Sequence, residues 1–298
     1  MSSLIKGVLP RFWERIKPHP LFTSLYYAKR AAEIVRERLF TQYPVKYQVD
    51  KAPLRKDFAD YEVLFTESEH NFEAIISPYA SEFSWFLGRI YNGAFESIDA
   101  ELYYAMIRKY RPQLVIEVGS GHSTHFAMDA LKRNGSGRMV SIDPKPRIGL
   151  PEGVEHMEAR VEDIDADVFK NLNENDMLFI DSSHLGQEAL YHCGQIMPNL
   201  GAGVIIHHHD FTYPYSIYYG DDPVRWGEPD VLLRFFMDNR ESFEVIVCAS
   251  YVRFKNAELV NRFIKSYRWN PRRIPGSLWT RKKPRKPLAE DESKLLPP

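Results

Sequence analysis

The sequence predicts an α/β protein built on a mostly parallel sheet. Three observations carry this expectation. Apolar runs of strand length alternate with helical-period stretches from about residue 99 onward. The run Leu114–Val118, followed by Gly119-Ser120-Gly121-His122-Ser123-Thr124, reads as a strand, a tight turn and a helix start. Acids and histidines cluster directly after the apolar runs, where open parallel sheets bind their ligands.

The elements follow in order. Residues 22–39 have helical spacing through Leu25, Ala28, Ala32, Val35 and Leu39. Residues 40–97 are irregular by pattern and rich in aromatics, with a short helix or lid expected over 83–92. Asp99 is expected to cap a helix that ends at Lys109–Arg111, before Pro112. Strands are predicted at 114–118, 139–142, 154–158, 177–180, 203–207 and 243–249. Helices are predicted at 123–132, near 163–172, and at 185–197 and 229–238. This divides the chain into a helical and aromatic appendage over 1–95 that caps a cleft, an α/β domain over 96–275, and a charged, proline-rich tail over 276–298 without a fold of its own. The basic run Arg281–Lys286 reads as a solvated tail, with a nucleic-acid contact as the alternative.

Composition narrows the class. The 298 residues are 44% hydrophobic and 27% charged, ordinary for a globular chain. A formal net charge of -1 gives no electrostatic footprint for nucleic acid. Cys193 and Cys248 form no Cys-x-x-Cys pair, which argues against a disulfide framework or a cysteine zinc site. No apolar run reaches the length of a membrane span, and Met1–Pro20 is broken by Arg11, Glu14, Arg15 and Lys17. A cytoplasmic protein is the expectation. The oligomeric state is not legible.

The glycine turn leads to the chemistry. A helix N-terminus offers free N–H groups and partial positive charge, so a nucleotide-like ligand is expected over Gly119, Ser120, Gly121 and Ser123. Thr124 stands where a dinucleotide fingerprint needs its third glycine, and no lysine follows Gly121 as a phosphate loop needs. Glu117, two residues before the first glycine, suits a cation or a hydroxyl better than a phosphate. Asp143 closes the next strand and is placed to accept ribose hydroxyls; a turn aspartate before Pro144 is the plainer reading. Glu162 and Asp163 follow the third strand, within reach of an adenine amino group or merely opening a solvated helical turn.

Asp181 closes the fourth strand, with His184 three residues on. The fifth ends in His207-His208-His209-Asp210, where His207 and His209 share one face and His208 takes the other. Asp181, His207, His209 and Asp210 are therefore candidate metal ligands, and His209 with Asp210 a candidate base and its orienter. The tyrosine-rich stretch Thr212–Tyr219 and Arg225-Trp226-Gly227-Glu228 reads as a wall or lid over an organic substrate, or as a loop pinned by aromatic packing.

Five motifs occur in sequence: Asp99–Leu102 through Glu117-Val118-Gly119-Ser120-Gly121, Phe179-Ile180-Asp181-Ser182-Ser183-His184, His207-x-His209-Asp210-Phe211, Trp226-x-Glu228, and Phe243-Glu244-Val245. Over about residues 95–253 they resemble a subgroup of the class I S-adenosylmethionine (SAM)-dependent methyltransferases that act on small molecules. The resemblance implies a Rossmann-like, seven-strand sheet with SAM across the glycine turn and a last edge strand expected near Ser250–Phe254. It implies that Glu117, Gly119, Ser120 and Gly121 line the methionine end, that Asp143 holds the ribose, and that Asp181 and the His209-Asp210 pair face the methyl acceptor, with His184 within reach of the same cleft by its place in the sequence. The expected reaction is methylation of a small-molecule hydroxyl. Related catechol-type enzymes bind a divalent cation at the ends of the same strands; the histidines here suit magnesium poorly, since it prefers oxygen ligands. Two alternatives stand: a metal-dependent hydrolase or hydroxylase using the histidine cluster, and a non-catalytic SAM-fold subunit that binds a partner.

Overall fold

The computed structural model describes residues 54–86, 89–90, 92–184, 186–216, 227–269 and 273–284. The helix expected over 22–39, residues 217–226 of the aromatic loop and the end of the tail lie outside the described residues.

Seven strands form one sheet in the order β3-β2-β1-β4-β5-β7-β6. They are β1 Leu114–Val118, β2 Arg138–Ile142, β3 Val154–Met157, β4 Met177–Ile180, β5 Ile205–His208, β6 Phe243–Cys248 and β7 Leu278–Lys282. The first five run parallel, and β7 lies antiparallel between β5 and β6. The helices are α1 Phe58–Tyr61, α2 Ser68–Ile76, α3 Asp99–Tyr110, α4 His122–Asn134, α5 Gly186–Tyr191, α6 Gly227–Asp238, α7 Ala249–Lys255 and α8 Ala257–Phe263. None of the described helices is long and apolar enough to cross a membrane.

The strands are apolar on both faces because the sheet is covered on both. Val115, Met177, Phe179, Ile205 and Trp279 join α2, α3, α4 and α8 in one core. Ile116, Val118, Leu178, Ile180, Ile206 and Leu278 face the other way, with Ile196, Leu232 and Phe236. Helix α3 stops where the sequence says, at Arg111 in the left-handed region with Pro112 following. Helix α4 ends on Gly135 at φ 69, a conformation suited to glycine. Strand β1 is anchored by buried Asp176, which accepts from the Gln113 and Leu114 amides at 2.9 and 2.8 Å.

Several expectations are corrected. The seventh strand is not near Ser250–Phe254, which is helical. It is Leu278–Lys282, so the tail expected to begin at 276 opens with a buried strand. Isolated charges misled: β7 carries Arg281 and Lys282, yet its Leu278, Trp279 and Thr280 are fully buried. Asp99 is the first helical residue rather than the cap, and its carboxylate accepts from the Gly276 and Ser277 amides. The stretch near 163–172 is two short 3-10 turns, and 185–197 is α5 followed by a π-helical turn at His192–Ile196. The irregular stretch holds α1, α2 and a 3-10 run over Ser77–Phe86.

Phe179 sits at the centre of the first core, stacked on Tyr103 at 4.2 Å and on His207 at 4.0 Å. Phe179→Ala is expected to lower stability by about 3–5 kcal/mol, measured by urea unfolding.

Candidate functional site

The site begins where the parallel ladder runs past the strand ends. The Gly119 amide bonds Ile142 O, the Asp181 amide bonds Val118 O and the His209 amide bonds Ile180 O, each at 2.9 Å. These bonds hold the first residue after β1, β4 and β5 in register, so glycine, acid and histidine stand side by side.

At the turn, Gly119 has φ +85, and a Cβ there would stand 1.9 Å from Asp181 O. Only glycine fits both the conformation and the approach. Beneath the turn, the Gly121 amide donates to Thr124 Oγ1 at 3.0 Å, and that hydroxyl donates to Glu117 Oε2. Glu117 is fully buried, and burial pushes its carboxyl up to about 8. Asp143 faces the turn from the end of β2, with Oδ2 accepting from the Ser120 amide at 2.7 Å and Oδ1 from the Lys145 amide at 2.6 Å. Each oxygen keeps a lone pair.

A cavity of about 1020 Å³ opens over this turn and extends to the ends of β4 and β5. Gly119, Ser120, Gly121, Ser123, Asp143, Glu162, Asp181, His184, His209 and Asp210 all lie in its wall. Glu117 and Asp163 do not: Glu117 supports the turn from below, and Asp163 is exposed. Of the aromatic loop, Thr212 reaches the wall, whereas Tyr213 is buried and stacks on Phe65 at 4.3 Å.

At the far end, His184 Nε2 stands 3.3 Å from Asp181 Oδ1 and 3.2 Å from Asp210 Oδ2. His209 Nδ1 stands 3.4 Å from Asp181 Oδ1 and 3.5 Å from Asp210 Oδ1. Behind them, His184 Nδ1 is hydrogen-bonded to Glu228 Oε2 at 2.9 Å, and His209 Nε2 lies 3.7 Å from Asp99 Oδ2. Burial disfavours charge at Asp181, His184 and His209. The neighbouring opposite charges overcome it: His209 and His184 hold Asp181 well below the usual carboxylate range, and the surrounding carboxylates hold both histidines well above theirs. The ligand atoms of Asp181, His184 and Asp210 all lie within 4.8 Å of one another, a spacing that can hold a metal ion.

The expected sharing of faces along β5 is present, but His207 does not reach the cluster. It is fully buried between Phe179 and Trp279, and its Nε2 meets Ser277 Oγ at 3.1 Å. Of the four candidate metal ligands, His207 and His209 both stand outside the group whose ligand atoms lie within 4.8 Å of one another, and His184 joins Asp181 and Asp210 in it. His208 points to the opposite face, where burial lowers its pKa to about 3.

Four contributors went unassigned in the sequence. Glu228 was visible in Trp226-x-Glu228, but its distance along the chain hid its role. Asp99 looked like a helix cap. Buried Glu188 accepts from the Ser182 and Ser183 hydroxyls and fixes the turn after β4. Arg273 follows no pattern; its Nη1 pairs with Glu96 at 2.6 Å, its Nη2 donates to Ala94 O at 2.6 Å, and it lines the same cavity.

Residues 116–211 match a protein-family model described as a methyltransferase domain. That span runs from within β1 past the end of β5 and contains the glycine turn and both halves of the acid–histidine cluster. Residues 116–211 are thus similar to a methyltransferase domain, and the sheet that contains them has the seven-strand, mostly parallel order of the Rossmann-like class I fold. A curated relative, an uncharacterized protein of Archaeoglobus fulgidus, is 38% identical over 92 residues, which is 28% of this chain. The match spans 42% of that relative's length. Among solved structures, the chain is similar to the SAM-bound O-methyltransferase TomG of Streptomyces achromogenes, involved in tomaymycin synthesis, at 14% identity and TM-score 0.44, covering 76% of this chain and 99% of that one. It is also similar to the S-adenosylhomocysteine-bound methyltransferase PaMTH1 of Podospora anserina, at 16% identity and TM-score 0.43, covering 78% and 98%.

Gly119→Ala is expected to lower the thermal midpoint sharply, whereas Gly121→Ala, with nothing within 4 Å of its added Cβ, is expected to stay near wild type. Calorimetric melting of the two variants checks this. The folded chain keeps the Glu117 proton up to about pH 8, whereas the unfolded chain loses it near its ordinary 4.5. The Glu117 contribution to stability therefore falls as pH rises through that window. Glu117→Gln is expected to gain on wild type in urea midpoint between pH 5 and pH 9.

Proposed function

We propose that this protein transfers the methyl group of SAM to a hydroxyl of a small organic molecule. The observation that carries the reading is one continuous cavity with a glycine turn and Asp143 at one end and four ionisable side chains at the other. Its volume of about 1020 Å³ stands at the top of the usual range for ligand pockets, room for a cofactor and an acceptor together.

In this reading the Ser120–Ser123 turn takes the methionine end of the cofactor, and the free lone pairs of Asp143 accept the ribose hydroxyls. Glu162, exposed in the wall, is placed for the adenine amino group. Asp163 remains a weaker candidate for that contact, since it stands outside the wall. Glu117 acts indirectly, by holding Thr124 and thereby the turn.

The reaction is a direct displacement. The acceptor oxygen bonds the methyl carbon as the carbon–sulfur bond breaks, and S-adenosylhomocysteine leaves neutral. The sulfonium is already a good leaving group, so alignment and proton removal are what the protein must supply. Asp181, His184 and Asp210 are partly exposed to the cavity and can touch the acceptor, while His209 is buried behind them. Asp210, open to the cavity, is placed to take the acceptor proton, and His184 and His209 hold its carboxylate in position. A hydrolase reading would use the same cluster but would leave the glycine turn and Asp143 without a ligand.

Calorimetric titration with S-adenosylhomocysteine tests the cofactor half. Micromolar binding is expected, weakened by Asp143→Ala by about tenfold or more, the worth of a lost charge-assisted hydrogen bond. Unchanged affinity in the variant would remove the ribose role, and no binding by wild type would remove the reading. Transfer of labelled methyl to a panel of phenolic, sugar and polyketide hydroxyls tests the rest. His209→Ala is expected to cut turnover by about 100-fold or more while cofactor affinity holds. Equal loss of both would sink its place in proton transfer.

A further inference from the structure

Resting on the cofactor reading above, we propose that Glu117 reads the charge of the bound cofactor. It holds a proton while the turn is empty or carries S-adenosylhomocysteine, and gives it up when the sulfonium of SAM lies above. The exchange favours SAM over its product. Three acids converge on the turn. Glu117 lies on β1, Asp143 at the end of β2 and Asp181 at the end of β4, and β1 runs between the other two. Asp143 has the Ser120 and Lys145 amides, and Asp181 has two imidazoles. Glu117 has neither. It is fully buried beneath the turn, its Oε2 accepts from Thr124 Oγ1, and its Oε1 has no hydrogen-bond partner.

The groups that face it are the Ser123 and Thr124 hydroxyls of α4, the Asp143 and Asp181 carboxylates, the buried phenol of Tyr103 on α3, and Ser141 beside it on β2. None of these is a cation. A carboxyl so placed keeps its proton: burial, reinforced by the two aspartates, pushes Glu117 up to about 8. SAM carries one positive charge that S-adenosylhomocysteine lacks, at the sulfur, and the cofactor reading puts that end of the molecule over the same turn. The ligand thus brings the cation that the acids are short of. At an effective dielectric of about 20, a unit charge within about 10 Å of a carboxylate changes its proton affinity about tenfold or more.

The proton has a route and the charges balance. Ser123, next to Glu117, lies in the cavity wall, and Thr124 Oγ1 links the carboxyl to the Gly121 amide in the turn. When SAM binds, the Glu117 O–H bond breaks, the proton goes to solvent, and carboxylate and sulfonium offset each other. Methyl transfer breaks the carbon–sulfur bond and leaves the sulfur neutral. Glu117 then takes a proton back from solvent, and the product loses the attraction that held the reactant. Glu117→Gln separates this role from support of the turn, since its amide oxygen can still accept from Thr124 but the group cannot ionise.

The test is calorimetric titration of the full-length protein with SAM and with S-adenosylhomocysteine, without acceptor, in buffers of different ionisation enthalpy between pH 6 and pH 9. SAM is expected to release about half a proton per chain near pH 7.5, and S-adenosylhomocysteine close to none. Affinity for SAM relative to S-adenosylhomocysteine is expected to rise about tenfold across that range and to level off above about pH 8. Glu117→Gln is expected to bind both ligands and to lose both the proton release and the pH slope. Equal proton release with the two ligands, or a difference that survives in Glu117→Gln, would overturn the proposal and leave the cofactor reading standing. Failure of wild type to bind either ligand would remove both. The wild-type comparison decides the matter even where the variant does not fold.

Discussion

The site depends on one constraint: the parallel ladder does not stop where the strands stop. Three amide–carbonyl bonds carry it one residue further, onto Gly119, Asp181 and His209. Side chains that follow different strands, far apart along the chain, are thereby set at fixed lateral spacing. The fit is so close that the residue after β1 can carry no Cβ, because the carbonyl of Asp181 already occupies that space. The glycine turn and the acid cluster are thus one unit.

This unit explains why so much charge is tolerated in a half-buried place. No carboxylate or imidazole in the cluster stands alone. Asp181 lies against two imidazoles, His184 against three carboxylates, and His209 against Asp181, Asp210 and Asp99. Removing any member leaves its neighbours buried without compensation, the condition under which such groups are costly. The electrostatic arrangement therefore specifies the side-chain positions as firmly as apolar packing does in the cores on either side.

The sheet and the cavity's position were legible because they rest on local pattern. Six of the seven strands were legible, and β1, β2, β4 and β5 are written as short, mostly apolar runs ending in glycine, acid or histidine. What was hidden is what the chain brings together from afar. His207, His208 and His209 are equivalent by composition, and alternation separates His208 from the others. Only the depth of the strand end separates His207, packed between Phe179 and Trp279, from His209 at the cavity. Glu228 and Arg273 are ordinary charged residues until α6 and the segment before β7 fold against the cluster. Strand β7 itself was masked by Arg281 and Lys282. Arg281 pairs with Glu244 and Lys282 lies over the ring of Phe243, while the strand between them and Leu278 is buried.

That late strand bears on the order in which the molecule can be completed during synthesis. β5 finds its outer neighbour only in Leu278–Lys282, and the Asp99 carboxylate is held by the amides of Gly276 and Ser277. A nascent chain that has emerged with every other strand still has β5 exposed as a bare edge and Asp99 without its donors. The ribosome must release the segment beyond residue 276 before the acid–histidine cluster has its final surroundings, so a chain truncated just before that point would carry the whole matched domain and still lack a finished site.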